Sequence, residues 1–482
     1  MESGSDRRGP AGSAAAAIAT AGLAYFGTGL TPIPWLTWAI PLPVLLLAPR
    51  RRGWTVALAA FAGYLLGGAN EWRYWAADLE LPVPVLLTAV LVFPLLLTGI
   101  VLLFRLVLLR CGPLPATLAF PAAVAAAEYL VSVSAPVGAN WSLAPTQADL
   151  TPVFQFASLT GGWGVSFLVS LVPAAIAAVF APQVKAVARW RAGLAGLVLF
   201  GFATTYGVLR IQAVDELAQS PRITLLSAHA PDVELPVDAP AGRALLAAYV
   251  NWLRSAPADG ARIIVLPEKA FEANDGTLPG LLQPLAEAAR ERHADLIVGV
   301  TVHTGGKTYN TAYDLPADGS APVVYRKHFL LVGSEDELST GTELAFVPGY
   351  GKQLGIAICA DLGRPSFGRE YGNAGAGLVL APALDFTTDA WSQSRVQLLR
   401  GVESGFSLAR AAYQGYLTLS DPAGRVTAQI DSAQHTPVTS VSGTLPVGQG
   451  RTGYARWGDW FAWLSLAVTV AALAASVLRR KA

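Results

Sequence analysis

At 482 residues the chain has room for about two to four domains. Apolar residues make up 53% and charged residues 14%, well under the roughly 25% charge of soluble domains, so part of the chain is expected to lie in lipid. The net charge of +1 gives no electrostatic basis for binding nucleic acid. The two cysteines, Cys111 and Cys359, have neither metal-ligand spacing nor the look of a disulfide framework.

The charge deficit is uneven. Residues 1–210 hold few charges between long apolar runs and are expected to form a transmembrane domain of about seven helices. Candidate spans lie near 13–30, 35–49, 54–70, 84–105, 116–134, 161–182 and 190–210. The first follows Arg7-Arg8 as a signal peptide would, but further spans come after it, so it reads as a retained anchor. The second is short and interrupted by Pro41 and Pro43, with Pro32 and Pro34 at its start. An eighth span, near 458–478, lies in a C-terminal segment of residues 457–482 that ends in a short tail.

Lysine and arginine bias sets the expected orientation. With Arg7 and Arg8 in the cytoplasm, Arg50-Arg51-Arg52, Arg105 with Arg110, Lys185 with Arg189 and Arg191, and Arg479-Arg480-Lys481 all fall inside. Both termini are then cytoplasmic, and residues 211–456 lie on the outer, periplasmic face. Cys111 sits at the cytoplasmic edge and is expected to be inert. Trp457, Trp460 and Trp463 fall at the outer interface, where indole rings settle. The loop around 135–160, with Pro136-Val137-Gly138-Ala139-Asn140-Trp141, is expected on the outer face, either as a plain connector or folded over the membrane surface.

From residue 222 the pattern changes to short apolar strands alternating with amphipathic helices, the mark of a layered α/β domain. Strands are expected at 223–227, 263–266, 295–300, 308–315, 323–326, 353–358, 377–380, 408–413 and 416–420, with helices at 241–255, 281–292 and 395–406.

Strand ends carry the chemistry. Ile263-Ile264-Val265-Leu266-Pro267-Glu268 ends on a carboxylate, Val323-Val324-Tyr325-Arg326-Lys327 on an amine, and Leu354-Gly355-Ile356-Ala357-Ile358-Cys359 on a thiol. A thiol must lose its proton to attack. A nearby carboxylate can take that proton, and an ammonium group can stabilise the thiolate and a tetrahedral oxyanion. Taken singly, a strand-end Glu is most often a surface group, a Lys more so, and a Cys after a buried strand is more often packing than nucleophile. A Cys–His arrangement with His328 would leave Glu268 and Lys327 without a role. His229, His293, His303, His328 and His435 have no zinc-binding spacing, so neither a metal nor a cofactor is expected.

Pro267-Glu268, Tyr325-Arg326-Lys327 and Ile358-Cys359 occur in the order and spacing of the nitrilase, or carbon–nitrogen hydrolase, superfamily. With flanking membrane helices the chain resembles the bacterial apolipoprotein N-acyltransferases. Tyr309-Asn310-Thr311-Ala312 followed by Asp318-Gly319 is similar to the hairpin before the lysine, and Lys327-His328-Phe329-Leu330-Leu331-Val332-Gly333-Ser334-Glu335 to the run that follows it. Thr388-Asp389-Ala390-Trp391, then Gln397, Arg400, Glu403 and Arg410, extend the resemblance, as do Asn140-Trp141 and Gly161-Gly162-Trp163-Gly164 among the membrane helices.

The resemblance implies an αββα sandwich carrying a Glu–Lys–Cys triad. Glu268 would be the general base, Cys359 the nucleophile and Lys327 the oxyanion stabiliser beside a backbone N–H near Ala360. Glu335 would hold Lys327 charged. It implies acyl transfer in the bacterial inner membrane, from a phospholipid donor to a diacylated lipoprotein through a thioester. Ala360-Asp361 stands where the family has an aromatic residue and Glu, and the run 332–336 and Ser227-Ala228-His229 also depart from its pattern. These changes ring the expected substrate pocket, to which Ala360, Asp361, Asp389, Trp391 and Trp141 are assigned. They leave open a membrane amidase, or a divergent enzyme acylating another amine. A non-catalytic membrane scaffold keeping the fold is the alternative of another class.

Overall fold

The computed structural model describes residues 9–134, 138–182, 184–257, 259–351, 353–433 and 437–479. Arg7, Arg8, Pro136, Val137, His435, Arg480 and Lys481, on which the sequence reading drew, lie outside the described residues. The chain divides into two compact units. One is Met1–Ala135, Trp141–Val208 and Asp459–Ala482; the other is Pro136–Asn140 and Leu209–Gly458.

The first unit is helical. Among the described residues, five helices are long and apolar enough to cross a membrane: Val83–Cys111, Pro113–Ser134, Gly162–Val179, Ala186–Asp215 and Trp460–Leu478. Pro113–Ser134 and Gly162–Val179 are central, with 67% and 78% of their apolar windows buried, against 22% and 17% for Ala186–Asp215 and Trp460–Leu478. The outer helices therefore present apolar side chains such as Leu197, Phe202 and Val470 to their surroundings, the pattern a lipid solvent selects. Gly9–Gly27 and Gly53–Gly67 pack closely through small residues. A Cβ on Gly63 would lie 3.0 Å from Thr20 and one on Gly67 2.4 Å from Ala24, the small-xxx-small contact of membrane helices. The span expected at 35–49 is two short helices, Pro34–Thr37 and Leu42–Leu47. Prolines at the first turns of both set these starts and interrupt a continuous helix. Cys111 ends its helix with Sγ 3.5 Å from Ser476 Oγ.

The second unit is a sandwich of two sheets with helices outside. The first sheet contains β1 (Ile223–Ala228), β2 (Leu235–Pro236), β3 (Ile263–Val265), β4 (Phe271–Asn274), β5 (Asp295–Thr304), β6 (Lys307–Leu315) and β7 (Val323–Arg326). β1, β3 and β5 pair in parallel, and β5, β6 and β7 antiparallel. The second sheet contains β8 (Ala345–Phe346), β9 (Leu354–Ile356), β10 (Leu378–Leu384), β11 (Ser407–Tyr413), β12 (Tyr416–Ser420) and β13 (Val426–Asp431), with β9, β10 and β11 parallel. β14 (Val438–Gly443) returns to the first sheet, antiparallel to β1. The central strands are buried on both faces, as their continuous apolar runs require.

Helices α1 (Pro240–Ser255) and α2 (Leu278–Arg292) cover the first sheet; α3 (Pro365–Ala374) and α4 (Ala390–Ser404) flank the second. α1 buries Leu245, Tyr249, Val250 and Leu253 against the sheet, and α2 buries Leu281 and Leu285. The sequence reading lacks β2, β4, β8, β13, β14 and α3, and starts α4 five residues late. β2 and β8 are two residues long, and β14 pairs with a strand more than two hundred residues away. Neither condition leaves a periodic signal in a local window. α3 starts at Pro365, whose fixed φ and missing N–H suit a first helical position.

Candidate active site

Four loops at the carboxyl ends of strands in the second unit build one buried cluster. β3 delivers Glu268, β7 delivers Lys327, β9 delivers Cys359 and β10 delivers Asp385. Glu268 is held close to β5: the Ala270 N–H donates to the Gly299 carbonyl (3.2 Å), and a Cβ on Gly299 would meet the Pro267 carbonyl oxygen at 2.4 Å. Lys327 is fixed by its backbone, its N–H donating to the Asn310 carbonyl (2.9 Å) and its carbonyl accepting from the Gly341 N–H (2.8 Å).

The side chains converge tightly. Lys327 Nζ donates to Glu268 Oε1 at 2.7 Å and to Glu335 Oε2 at 2.8 Å. Asn310 Nδ2 bridges the same two carboxylates, 2.6 Å from Glu268 Oε1 and 2.7 Å from Glu335 Oε1. Glu335 Oε2 also accepts from the Leu331 N–H (2.8 Å). Glu268, Lys327 and Glu335 are each at most 3% exposed, so their charges interact with little screening. Burial works against the Lys327 charge, but the Glu268 and Glu335 carboxylates outweigh it and hold the ammonium charged far above the usual lysine range. Burial pushes Glu335 up; Lys327, Lys269 and the hydrogen bonds more than reverse this and take it down to about 2.

Cys359 is half-buried and begins a one-turn 3₁₀ helix, Cys359–Gly363. Its φ is +37°, a left-handed conformation that a side chain rarely adopts. Such an elbow turns Sγ out of the strand direction and stores local strain at a site the surroundings must over-determine. Asp361 supplies much of that determination. Its carboxylate accepts from the Ile358 N–H (3.0 Å), the His328 N–H (3.0 Å), the Phe329 N–H (2.8 Å) and Tyr325 Oη (2.6 Å). It therefore ties the elbow to the chain just past β7. Asp361, which the sequence reading assigns to the substrate pocket, is fully buried, and its four bonds fill its accepting capacity.

Sγ itself is held lightly, 3.6 Å from the Leu384 carbonyl oxygen and 3.9 Å from Gln397 Nε2. Gln397 is fixed in turn by Arg410 Nε (2.9 Å), and Arg410 forms a buried bidentate pair with Asp385. Burial pushes the thiol pKa up and Glu268 pushes it further; Lys327 and Arg410 pull it down without overcoming them. The thiol therefore keeps its proton at rest, and its activation needs a base.

The remaining assigned residues separate. Ala360 is half-buried beside Cys359. Asp389 is buried at the start of α4, accepting from the Phe386 N–H (3.0 Å) and Gln393 Nε2 (3.0 Å). Trp391 lies on the first turn of α4 under the Arg395 guanidinium, 5.3 Å from its ring. Trp141 belongs to the helical unit, packed with Trp75 and Phe93.

Sequence reasoning missed Lys269. It is buried, with Nζ 3.0 Å from Glu234 Oε1 and 3.1 Å from Glu335 Oε1. The available signal was a cation directly after the strand-end carboxylate. Glu234 left no signal, because it reaches the cluster only through the fold.

Two family descriptions match the chain. The apolipoprotein N-acyltransferase N-terminal domain matches residues 19–175 and carbon–nitrogen hydrolase matches residues 230–440. The apolipoprotein N-acyltransferase of Geobacter metallireducens is 26% identical, over 95% of this chain and 93% of its own length. That of Nitrosomonas europaea is also 26% identical, over 95% and 98%. Among solved structures, Saccharomyces cerevisiae Nit3, a member of branch 10 of the nitrilase superfamily, covers 48% of this chain and 91% of its own, at 19% identity and a TM-score of 0.39. The two matched segments together cover about three quarters of the chain, and the relatives run along nearly all of it: the chain belongs to the apolipoprotein N-acyltransferase family of the carbon–nitrogen hydrolase superfamily.

Proposed function

We propose that this enzyme moves a fatty acyl chain from a membrane phospholipid, through a thioester on Cys359, to the α-amine of a diacylglyceryl-cysteine at a lipoprotein N-terminus. Homologues of nearly full length carry the name apolipoprotein N-acyltransferase, which supports lipoprotein N-acylation in general. The observation that carries the finer reading is the Lys327 ammonium, buried between Glu268 and Glu335 in the same cluster as a strained, protonated thiol.

In the first half-reaction Glu268 takes the Cys359 proton as Sγ attacks the ester carbonyl. The forming oxyanion is stabilised by Lys327 and the backbone N–H of Ala360. Collapse breaks the ester C–O bond, and Glu268 returns the proton to the leaving lysophospholipid alkoxide. In the second half-reaction the amine attacks the thioester carbonyl, Glu268 accepts its proton, and the thiol leaves with a proton restored. Resting protonation of the thiol fits this sequence, because base and nucleophile work in one step rather than from a stored thiolate.

The location follows the same logic. Residues 1–210 and 457–482 would anchor the enzyme in the bacterial inner membrane, with residues 211–456 on the outer face and both termini inside. The lysine and arginine distribution supports this orientation.

The test is to incubate the full chain in phospholipid nanodiscs and measure intact mass. An acyl adduct is expected on the wild type and none on Cys359→Ala. A diacylated lipopeptide added afterwards should become triacylated as the adduct disappears. Adduct loss to water with the lipopeptide unchanged would make the enzyme a hydrolase, and no adduct from any acyl donor would remove catalysis through Cys359.

A further inference from the structure

The Glu268–Lys327–Glu335 cluster extends one layer further than the proposed reaction uses. Lys269 follows Glu268 directly, is buried, and reaches Glu335 on the opposite side from Lys327. The two oxygens of Glu335 are divided between the two amines. Oε2 takes Lys327 and the Leu331 N–H, while Oε1 takes Lys269 and Asn310. Glu234 holds Lys269 from outside at 3.0 Å and is itself fixed by Thr301 Oγ1 at 2.9 Å.

The backbone is bent to make this contact. Lys269 has φ +51° and Glu234 φ +53°, both in the left-handed region, and the Glu234 N–H donates to the Lys269 carbonyl at 2.8 Å. A non-glycine residue in that region costs on the order of 1 kcal/mol, so two adjacent instances that serve one ion pair are unlike ordinary surface pairing. Burying an ammonium group is itself unfavourable unless carboxylates surround it. Glu234, Glu268 and Glu335 all face this one.

We propose that Lys269 is a positioning residue for the reaction: it occupies Glu335 from the side Lys327 does not use, leaving the Lys327 ammonium shared with Glu268 and available to the thiol and oxyanion. Three carboxylates, Glu234, Glu268 and Glu335, share two ammonium groups, Lys269 and Lys327, so the cluster is already short of one cation. Without Lys269, Glu335 has only Lys327 as a cation and draws it away from Glu268. Every acid in the cluster then binds its proton more tightly, Cys359 included, whose other charged neighbours are Arg410 and Asp385. The proposal rests on reading Cys359 as the nucleophile, and its test is chosen to stand apart from that reading.

The test is the pH dependence of Cys359 alkylation by iodoacetamide on the full-length protein in nanodiscs, followed on the Cys359 peptide. It uses neither acyl donor nor lipopeptide, so it decides the role of Lys269 even if acyl transfer fails; adduct formation on the same samples tests the transfer reading. In Lys269→Met the midpoint should rise by at least about half a pH unit, roughly a threefold slower reaction at a fixed pH below it. Lys269→Arg should return it to the wild-type value, because charge rather than shape is at stake. Glu234→Gln, which frees Lys269 to act on Glu335 alone, should move the midpoint the other way, and it carries the test if Lys269→Met does not fold. A Lys269→Met midpoint equal to wild type, a Lys269→Arg midpoint as high as that of Lys269→Met, or an unmoved or raised midpoint in Glu234→Gln would each overturn the proposal.

Discussion

The two ends of the cluster are built on opposite plans. At the acid–base end the Glu335 oxygens each hold two donors, and Lys327 and Asn310 each bridge two carboxylates. At the thiol end Sγ has no contact closer than 3.6 Å to its two polar neighbours, Leu384 and Gln397, and the restraint falls on the backbone through the positive φ and Asp361. The difference teaches a division of labour. In the proposed reaction, groups that would only move protons and hold charge are locked, while the atom that would form and break a bond keeps room to move. Preorganised charge costs no rearrangement during the reaction, whereas a nucleophile packed as tightly would have to unpack to attack.

The comparison can be broken most completely at the thiol. Cys359→Ala should abolish adduct formation and turnover, with thermal unfolding in detergent changed little, since Sγ makes no strong bond that the fold needs. Glu268→Gln should slow acyl-enzyme formation by about 10²–10⁴-fold, the usual worth of a general base. A single-turnover rate equal to the wild type in that variant would take Glu268 out of the base role.

Glu335→Gln sharpens the comparison through stability. It takes from two buried ammonium groups the carboxylate they share, a loss of about 3 kcal/mol at neutral pH. The pH dependence has a definite sign. The folded-state pKa of Glu335 is depressed to about 2 from an ordinary 4.5, so its contribution is complete above the ordinary value and is lost as pH falls towards 2. Denaturant unfolding at pH 6 and pH 3 should show the wild type losing more stability than Glu335→Gln. The smallest effect is expected at Gln397→Ala. A 3.9 Å amide contact to sulfur is weak, and its removal should slow alkylation and turnover about fivefold or less. A loss as large as that of Glu268→Gln would mean the thiol end is locked as firmly as the other.

The catalytic candidates were legible because each closes an apolar run, and strand ends in α/β folds face a common crevice. Glu268, Lys327 and Cys359 were singled out by that pattern together with their order, spacing and the family resemblance, and Val323–Arg326 and Tyr416–Ser420 matched their strands residue for residue. Lys269 was not legible, since a lysine beside a glutamate normally marks a solvated face and only the third dimension brings Glu234 and Glu335 to it. The structural part of Asp361 was not legible for a related reason: its four donors come from Ile358, Tyr325, His328 and Phe329, and the last three lie some thirty residues earlier, a pairing no local window contains. The second span, read from the sequence as short and proline-interrupted, is two short helices opened at Pro34 and Leu42, with Pro34 and Pro43 in their first turns.

The close approach at Gly299 has a consequence for how the enzyme comes into being. The Glu268 loop lies on the middle of β5, which pairs on its other side with β6, the strand that carries Asn310 and leads to Lys327. One ladder register therefore sets the base, the bridging amide and the amine together. A slip of one residue between β5 and β6 would turn Asn310 to the opposite face of the sheet and displace all three at once. The base, the bridging amide and the amine are thus in place together or displaced together, whereas Cys359, delivered by the second sheet, answers to a different register.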